Sequence, residues 1–308
     1  MTKPPRRLRG SGYGIIRIVL SGIRDYLELI KFEHTIFALP FAYLGMLLAA
    51  EGWPSGWQVL WITVAMAAAR TVAMGVNRLA DRVLDAHNPR TANRPLVTGR
   101  ISPHTAWTGT IIAALLLAYA AWRLGPMPLR LLPIAMIFLI GYAFTKRFTW
   151  LSHYILGFTD GLAPVGAWVA VRGSLFSFSD LPAWLLLGAV TFWIGGFDLI
   201  YACQDVEVDR ACGLHAIPAR FGVRTALRLS AGSHLLTVGF LAAVGAATEL
   251  TWPYAVGLVV VSALLIVEHL LVSSNDMSHL NTAFFNVNSL ISVTLLIGAA
   301  VALMLSIH

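Results

Sequence analysis

The sequence predicts an all-α, polytopic membrane protein: a bundle of about nine transmembrane helices, built from two divergent four-helix units plus a last helix. Three observations carry this prediction. Of the 308 residues, 57% are hydrophobic and 12% charged, with a mean hydropathy of +0.73; soluble domains carry about 25% charged residues. Apolar runs near the roughly 20 residues a helix needs to span hydrocarbon recur at 29–50, 58–78, 104–123, 130–145, 153–171, 183–203, 226–247, 253–272 and 287–306. None of these runs alternates with the period of a barrel strand, so helices must satisfy the backbone within lipid.

The basic residues set the expected orientation. With nine spans, the N-terminus and the loops after the second, fourth, sixth and eighth share one side, which collects 18 of the 22 Lys and Arg. Arg123, Arg130 and Arg172 lie on the other side, and Arg70 falls inside the second span. The excess of positive charge places the first side in the cytoplasm. The net charge of +7 is therefore mostly topological and does not call for nucleic acid. Cys203 and Cys212 offer neither a disulfide framework nor metal-ligand spacing and read as packing residues.

In chain order, residues 1–24 form a basic N-terminal segment on the cytoplasmic side, and 25–308 a single transmembrane domain. Met1–Gly12 reads as disordered, and no cleavable signal is expected, because the first apolar run is long and lacks a small-residue cleavage site. The first span is preceded by Asp25 to His34, a polar–apolar mix suited to the membrane interface. There Glu33 and His34 either line a cavity mouth or pair with Lys31. The second span runs into Asn77-Arg78-Leu79-Ala80-Asp81-Arg82-Val83-Leu84-Asp85. If the helix continues, Asn77, Asp81 and Asp85 share one face. These oxygen ligands suit Mg²⁺ bridging to phosphates, or they form a solvated charge cluster.

Arg70 lies two turns before Asn77 and is expected to meet an anion, either a ligand or a carboxylate on another helix, given its cost of roughly 2.5–3.5 kcal/mol in a span. The loop His87–Arg100 carries Pro89 and Pro95 and cannot be helical. Its Arg90 and Arg94 are forks suited to phosphate oxygens, or topogenic charge like Arg100. Tyr142 and Lys146, one turn apart, close the fourth span, and Asp160 lies within the fifth. The sixth span ends in a second acidic stretch, where Asp198, Tyr201, Asp205 and Asp209 are expected to form one helical stripe with Glu207 pointing elsewhere. The Asp81–Asp205 and Asp85–Asp209 separations are equal, and the host spans lie four helices apart, which is the basis for two repeated units. Gly213–Gly222 reads as a polar loop placed like 87–100, and Asn275, Asp276, His279 and Asn281 as a solvated last loop.

Two acidic helix ends on one membrane side, each followed by a basic loop, can hold Mg²⁺ against a diphosphate whose tail lies in apolar surroundings. The set Asn77, Asp81, Asp85, Tyr142, Lys146, Asp198, Tyr201, Asp205 and Asp209 resembles the UbiA family of intramembrane prenyltransferases from about Tyr26 onward. Lys31–Thr35 and Gly213–Gly222 resemble its 4-hydroxybenzoate polyprenyltransferase-like subgroup, which includes members assigned to 1,4-dihydroxy-6-naphthoate in the futalosine route to menaquinone. The resemblance implies Mg²⁺ held with diphosphate by Asn77, Asp81, Asp85, Asp205 and Asp209, with Asp81, Asp205 and Asp198 as catalytic residues and Asp198 and Tyr201 in a supporting place. It implies substrate contacts from Arg90, Arg94, Lys146, Tyr142 and Tyr201, and Arg70 near the aromatic acceptor. The implied partners are a polyprenyl diphosphate, an aromatic acid and the lipid bilayer, in a bacterial-type inner membrane with the site facing the cytoplasm. A membrane transporter is the rival of a different class, but paired Asp-x3-Asp stripes with basic loops have no use there. A CDP-alcohol phosphotransferase would need an acidic run this chain lacks.

Overall fold

A computed structural model describes residues 12–31, 35–272 and 286–306. The elements in order are α1 (Gly12–Leu29), α2 (Thr35–Ala50), α3 (Gly56–His87), α4 (Pro103–Leu124), α5 (Pro126–Thr145), α6 (Ser152–Arg172), α7 (Leu181–Ala202), α8 (Val206–Ala211), α9 (Ile217–Phe221), α10 (Val223–Ala247), α11 (Trp252–Leu271) and α12 (Asn288–Ser306). Among the described residues, eight helices are long and apolar enough to cross a membrane, and a shorter apolar helix, Ala38–Ala50 within α2, lies in the run expected as the first span.

Local chemistry sets the helix ends. Ser55 caps α3 reciprocally with Gln58: the Gln58 amide donates to Ser55 Oγ at 3.3 Å, and the Ser55 amide donates to Gln58 Oε1 at 3.0 Å. From there α3 runs 32 residues, roughly 48 Å at 1.5 Å per residue, against about 30 Å of hydrocarbon. The surplus is the last three turns, which carry Asn77, Asp81 and Asp85. Pro89 prevents further extension. Ser102 caps α4 with Pro103 in its first turn, and Gly125, at φ 131°, turns the chain directly into α5 at Pro126.

The expected first span (29–50) is divided. α1 ends at Leu29, Lys31 takes a left-handed φ of 51°, and α2 begins at Thr35. Buried Leu29 packs with Leu96, Ile101 and Ala106, which fixes the end of α1 against the loop after α3. Burying such a side chain is worth about 1.5–3 kcal/mol. Glu33, His34 and the 275–281 loop residues lie outside the described residues.

α6 and α7 form the central seam; α2 packs on α6 and α12, α10 on α7, α4 on α3, and α11 on α12. Association in lipid depends on close packing rather than on hydrophobic transfer. Here Gly45 of α2 abuts the Pro164 carbonyl of α6, and Gly157 of α6 abuts the Thr191 carbonyl of α7, with no room for a Cβ. Trp168, Trp193, Phe41 and Leu186 fill the resulting core. Large apolar side chains such as Leu115, Ile137, Val259 and Leu270 remain on the outside, as a lipid-facing surface requires. The segment Gly213–Gly222 is not wholly a loop, since it contains α9.

A candidate active site between two acidic helix ends

α3 continues through Asp85 as expected, and Asn77, Asp81 and Asp85 turn inward, with Asp81 2% and Asp85 7% exposed. Each carboxylate meets a cation from another segment. Asp81 accepts from Lys146 Nζ and, at 3.0 Å, from Arg147 Nη2, which also donates to the Ala80 carbonyl and so ties α3 to the end of α5. Asp85 Oδ1 accepts from Arg94 Nη1 at 2.6 Å. Thr91 Oγ1 donates to the Asp85 carbonyl at 2.9 Å, folding the loop back onto the helix end that launched it.

That loop then bridges to the second acidic bank. Arg90 grips Asp205 with two prongs, Nε to Oδ1 at 3.0 Å and Nη2 to Oδ2 at 2.6 Å, and donates to the Tyr201 hydroxyl at 2.7 Å. Asn88 Nδ2 adds a further bond to Asp205 Oδ1 at 2.8 Å. Burial pulls the Arg90 guanidinium toward its neutral form, but the Asp205 hydrogen bonds and the Tyr201 and Asp205 charges outweigh it and leave the pKa above its ordinary value.

The second bank departs from the expected single stripe. α7 stops at Ala202, a 3₁₀ turn spans Cys203–Asp205, and α8 resumes at Val206. The tighter turn has 3.0 rather than 3.6 residues and re-aims α8. Asp198, Tyr201, Asp205 and Asp209 nevertheless face the same space, and Glu207 is exposed. Asp198 Oδ2 bonds His153 Nδ1 at 2.7 Å.

All residues named from the sequence as site residues line one cavity of about 290 Å³. Lys146 and Tyr142 reach it from α5, the Tyr142 hydroxyl being anchored on the Ala73 carbonyl at 3.0 Å. Arg70 lies at the inner end, with Nη1 3.2 Å from Asp160 Oδ1 and its buried Nε without a partner among the described residues. Both alternatives for Arg70 therefore have a physical basis: a carboxylate on another helix holds one edge, and a donor remains free. Arg70 and Asp160 also line a second, apolar cavity of about 420 Å³ between α3, α4, α5 and α6. The polar and apolar spaces meet at this ion pair.

Among the described residues, no three His, Cys, Asp or Glu side chains converge as a ready metal site. The donor chemistry still fits Mg²⁺ with a diphosphate: hard carboxylate oxygens from both banks face one space, and the cations that cap them are suited to phosphate oxygens. Arg147, Asn88 and His153 escaped sequence reasoning. Arg147 lies one residue past Lys146, and Arg147, Asn88 and His153 acquire their partners only through the fold. Arg100, read from the sequence as topogenic charge, also holds α1: it donates to Asp25 Oδ1 at 2.6 Å and to Glu28 Oε1 at 2.8 Å. Cys203 is buried and Cys212 half-buried, and neither is in a disulfide.

The chain is similar to known proteins over most of its length. Residues 38–290 match the UbiA prenyltransferase family. The 4-hydroxybenzoate octaprenyltransferase of Chromohalobacter salexigens is 32% identical over 275 residues, 87% of this chain and 89% of that protein. The enzyme of the same name from Methylobacillus flagellatus is 30% identical over 246 residues, 79% and 81% of the two chains. An apo UbiA homologue from Aeropyrum pernix K1 superposes with a TM-score of 0.78 at 32% identity, covering 87% of this chain and 98% of that one. A UbiA homologue from Archaeoglobus fulgidus bound to DMAPP and Mg²⁺ shares the fold at 20% identity, with a TM-score of 0.68 and coverage of 91% and 99%. The transporter reading falls away, because a match spanning most of the helical bundle and both acidic banks makes this chain a prenyltransferase, a member of the UbiA family.

Proposed function

We propose that the protein transfers a polyprenyl group from a polyprenyl diphosphate to a ring carbon of a hydroxylated aromatic acid, 4-hydroxybenzoate or a close relative, in respiratory quinone biosynthesis. The observation that carries this reading is the junction of the two cavities. A space lined by carboxylates and cations suits a diphosphate, the apolar space beyond Arg70 and Asp160 suits a prenyl tail, and the free Arg70 Nε suits an acceptor oxygen. The relatives' names support the acceptor class.

On this reading Asn77, Asp81, Asp85, Asp205 and Asp209 hold Mg²⁺. Bound there, the ion neutralises the charge that develops as diphosphate departs. Arg90, Arg94 and Lys146 turn from their carboxylates to the phosphate oxygens, and the Tyr201 hydroxyl follows Arg90. Arg70 donates to the acceptor carboxylate and orients the ring toward the allylic carbon. Asp160 keeps the guanidinium in place. The apolar walls exclude water, which would otherwise capture the allylic cation. The cavity mouth faces the cytoplasm.

The test is mass spectrometry of lipids from membranes containing the protein, incubated with 4-hydroxybenzoate and a polyprenyl diphosphate. Prenylated product is expected with Mg²⁺, but not with EDTA, and not with Asp81→Ala or Asp205→Ala. Product formation that is insensitive to EDTA in either variant would sink the two-bank reading.

A further inference from the structure

Prenylation at a ring carbon leaves a hydrogen that must depart before aromaticity returns. A base near the ring has to take it, and the carboxylates around the cavity are not equivalent for that task. Asp81 is held by Lys146 and Arg147, Asp85 by Arg94, Asp205 by Arg90, and Asp160 by Arg70. Asp209 lies on α8, beyond Asp205 on the diphosphate side. Asp198 is placed seven residues before Asp205, roughly 10 Å deeper along the helix. No Lys or Arg pairs with it among the described residues; its partner is His153, whose side chain is 6% exposed.

The neighbours of His153 define its tautomer. The Ile217 backbone N–H reaches His153 Nε2 at 3.4 Å. An amide N–H only donates, so Nε2 carries the lone pair and Nδ1 the hydrogen, which is then donated to Asp198 Oδ2 at 2.7 Å. Ile217 is itself fixed: the His215 amide donates to the Lys146 carbonyl at 2.7 Å, and the Trp150 ring lies 5.0 Å from the His215 ring. A neutral imidazole thus orients one carboxylate oxygen without cancelling the negative charge. The other oxygen is left for the cavity that Asp198 lines.

We propose that His153 is the positioning residue that holds Asp198 as the base for the ring hydrogen, an inference that rests on the ring-carbon reading above. The ring π pair forms the new C–C bond as the allylic C–O bond breaks, and the C–O pair leaves with diphosphate. The C–H pair then returns to the ring, and the proton passes to the free oxygen of Asp198.

The experiment uses the full-length protein in detergent or membranes, with polyprenyl diphosphate, Mg²⁺, and 4-hydroxybenzoate deuterated at both carbons ortho to the hydroxyl. Wild-type product is expected to lose one deuterium, with no primary isotope effect on kcat. Asp198→Asn is expected to lower kcat about a hundredfold, and His153→Ala about tenfold. Both variants should acquire a primary isotope effect while the donor KM stays unchanged. His153→Gln, whose amide can donate to the same carboxylate, should recover kcat and lose the isotope effect. A fall in kcat without an isotope effect, or with a matching rise in donor KM, would overturn the base assignment. If His153→Ala does not fold, Asp198→Asn and His153→Gln carry the same readout. Wild-type product that retains both deuteriums would instead refute the ring-carbon reading itself.

Discussion

At the scale of single residues, three of the four acids expected to hold metal are paired with the bases expected to hold phosphate. Asp205 pairs with Arg90, Asp85 with Arg94, and Asp81 with Lys146 and Arg147, and Asp209 has no Lys or Arg partner among the described residues. Mg²⁺ arriving alone would meet only Asp209 uncapped and would have to strip the other carboxylates from their cations, and diphosphate arriving alone the reverse. Arriving together, they exchange one set of pairs for another. Titration calorimetry with inorganic diphosphate should therefore show weak Mg²⁺ binding in its absence and much tighter binding in its presence; equal affinity in both conditions would contradict the exchange. Charge-assisted hydrogen bonds are worth about 1.5–3 kcal/mol, so Arg90→Ala should raise donor KM by about tenfold or more. Arg70 calls for a different design, because its ion pair with Asp160 is largely buried, the side chains being 14% and 17% exposed. Removing one partner of such a pair costs about 3–5 kcal/mol, so Asp160→Ala should lower the melting temperature. The double variant Arg70→Ala/Asp160→Ala should melt close to wild type and still fail to use the acceptor. Recovery of acceptor use in the double variant would make Arg70 purely structural.

At the scale of elements, the loop of residues 88–102 joins the two acidic banks and also secures α1. Arg100 meets Asp25 and Glu28, and Arg78 Nε donates to the Leu29 carbonyl at 3.3 Å. The hydrogen bond from Arg100 holds the Glu28 carboxyl below its ordinary pKa of 4.5. A lowered folded-state value means that the contribution is fully present above 4.5 and is lost as pH falls through the lower folded-state value. The pair is exposed, so salt weakens it as well. Limited proteolysis near residues 24–31 should therefore be slow at neutral pH and low salt. It should accelerate at acid pH, in high salt, and in Arg100→Ala at any pH; an Arg100→Ala cleavage rate equal to wild type would show that Leu29 packing alone holds α1. The sequence disclosed the helices, because length, hydropathy and Ser, Pro and Gly punctuation act locally, and the Asn77–Asp85 face, because helical period is a local property. It could not disclose the 3₁₀ turn at Cys203–Asp205 or the break after Leu29, since neither segment holds a proline. Nor could it disclose that Asn88, Arg147 and His153 complete the site, because those bonds join residues 45 to 117 positions apart.

At the scale of the whole molecule, the cavity imposes a condition on topology: the ends of α3 and α7 must emerge on the same membrane face. An even number of crossings between them meets that condition, and α4–α7 supply it. Which face it is turns on the positive charge expected on that side from the sequence, 18 of the 22 Lys and Arg, a bias that favours the cytoplasm. Accessible positions can decide the matter. His87 follows the first acidic bank, Arg220 follows the second, and Glu249 sits between α10 and α11; all three side chains are exposed. Cys203 is buried, so replacing half-buried Cys212 with Ser leaves a background of low reactivity toward an impermeant maleimide. Single cysteines at His87→Cys and Arg220→Cys should stay unlabelled in intact cells and label in inverted vesicles, and Glu249→Cys should behave oppositely. Labelling of His87→Cys and Arg220→Cys from opposite sides would separate the two banks and dissolve the shared cavity. Labelling of both from outside would preserve the cavity and reverse the orientation, placing the polar substrate's entry on the other face of the membrane.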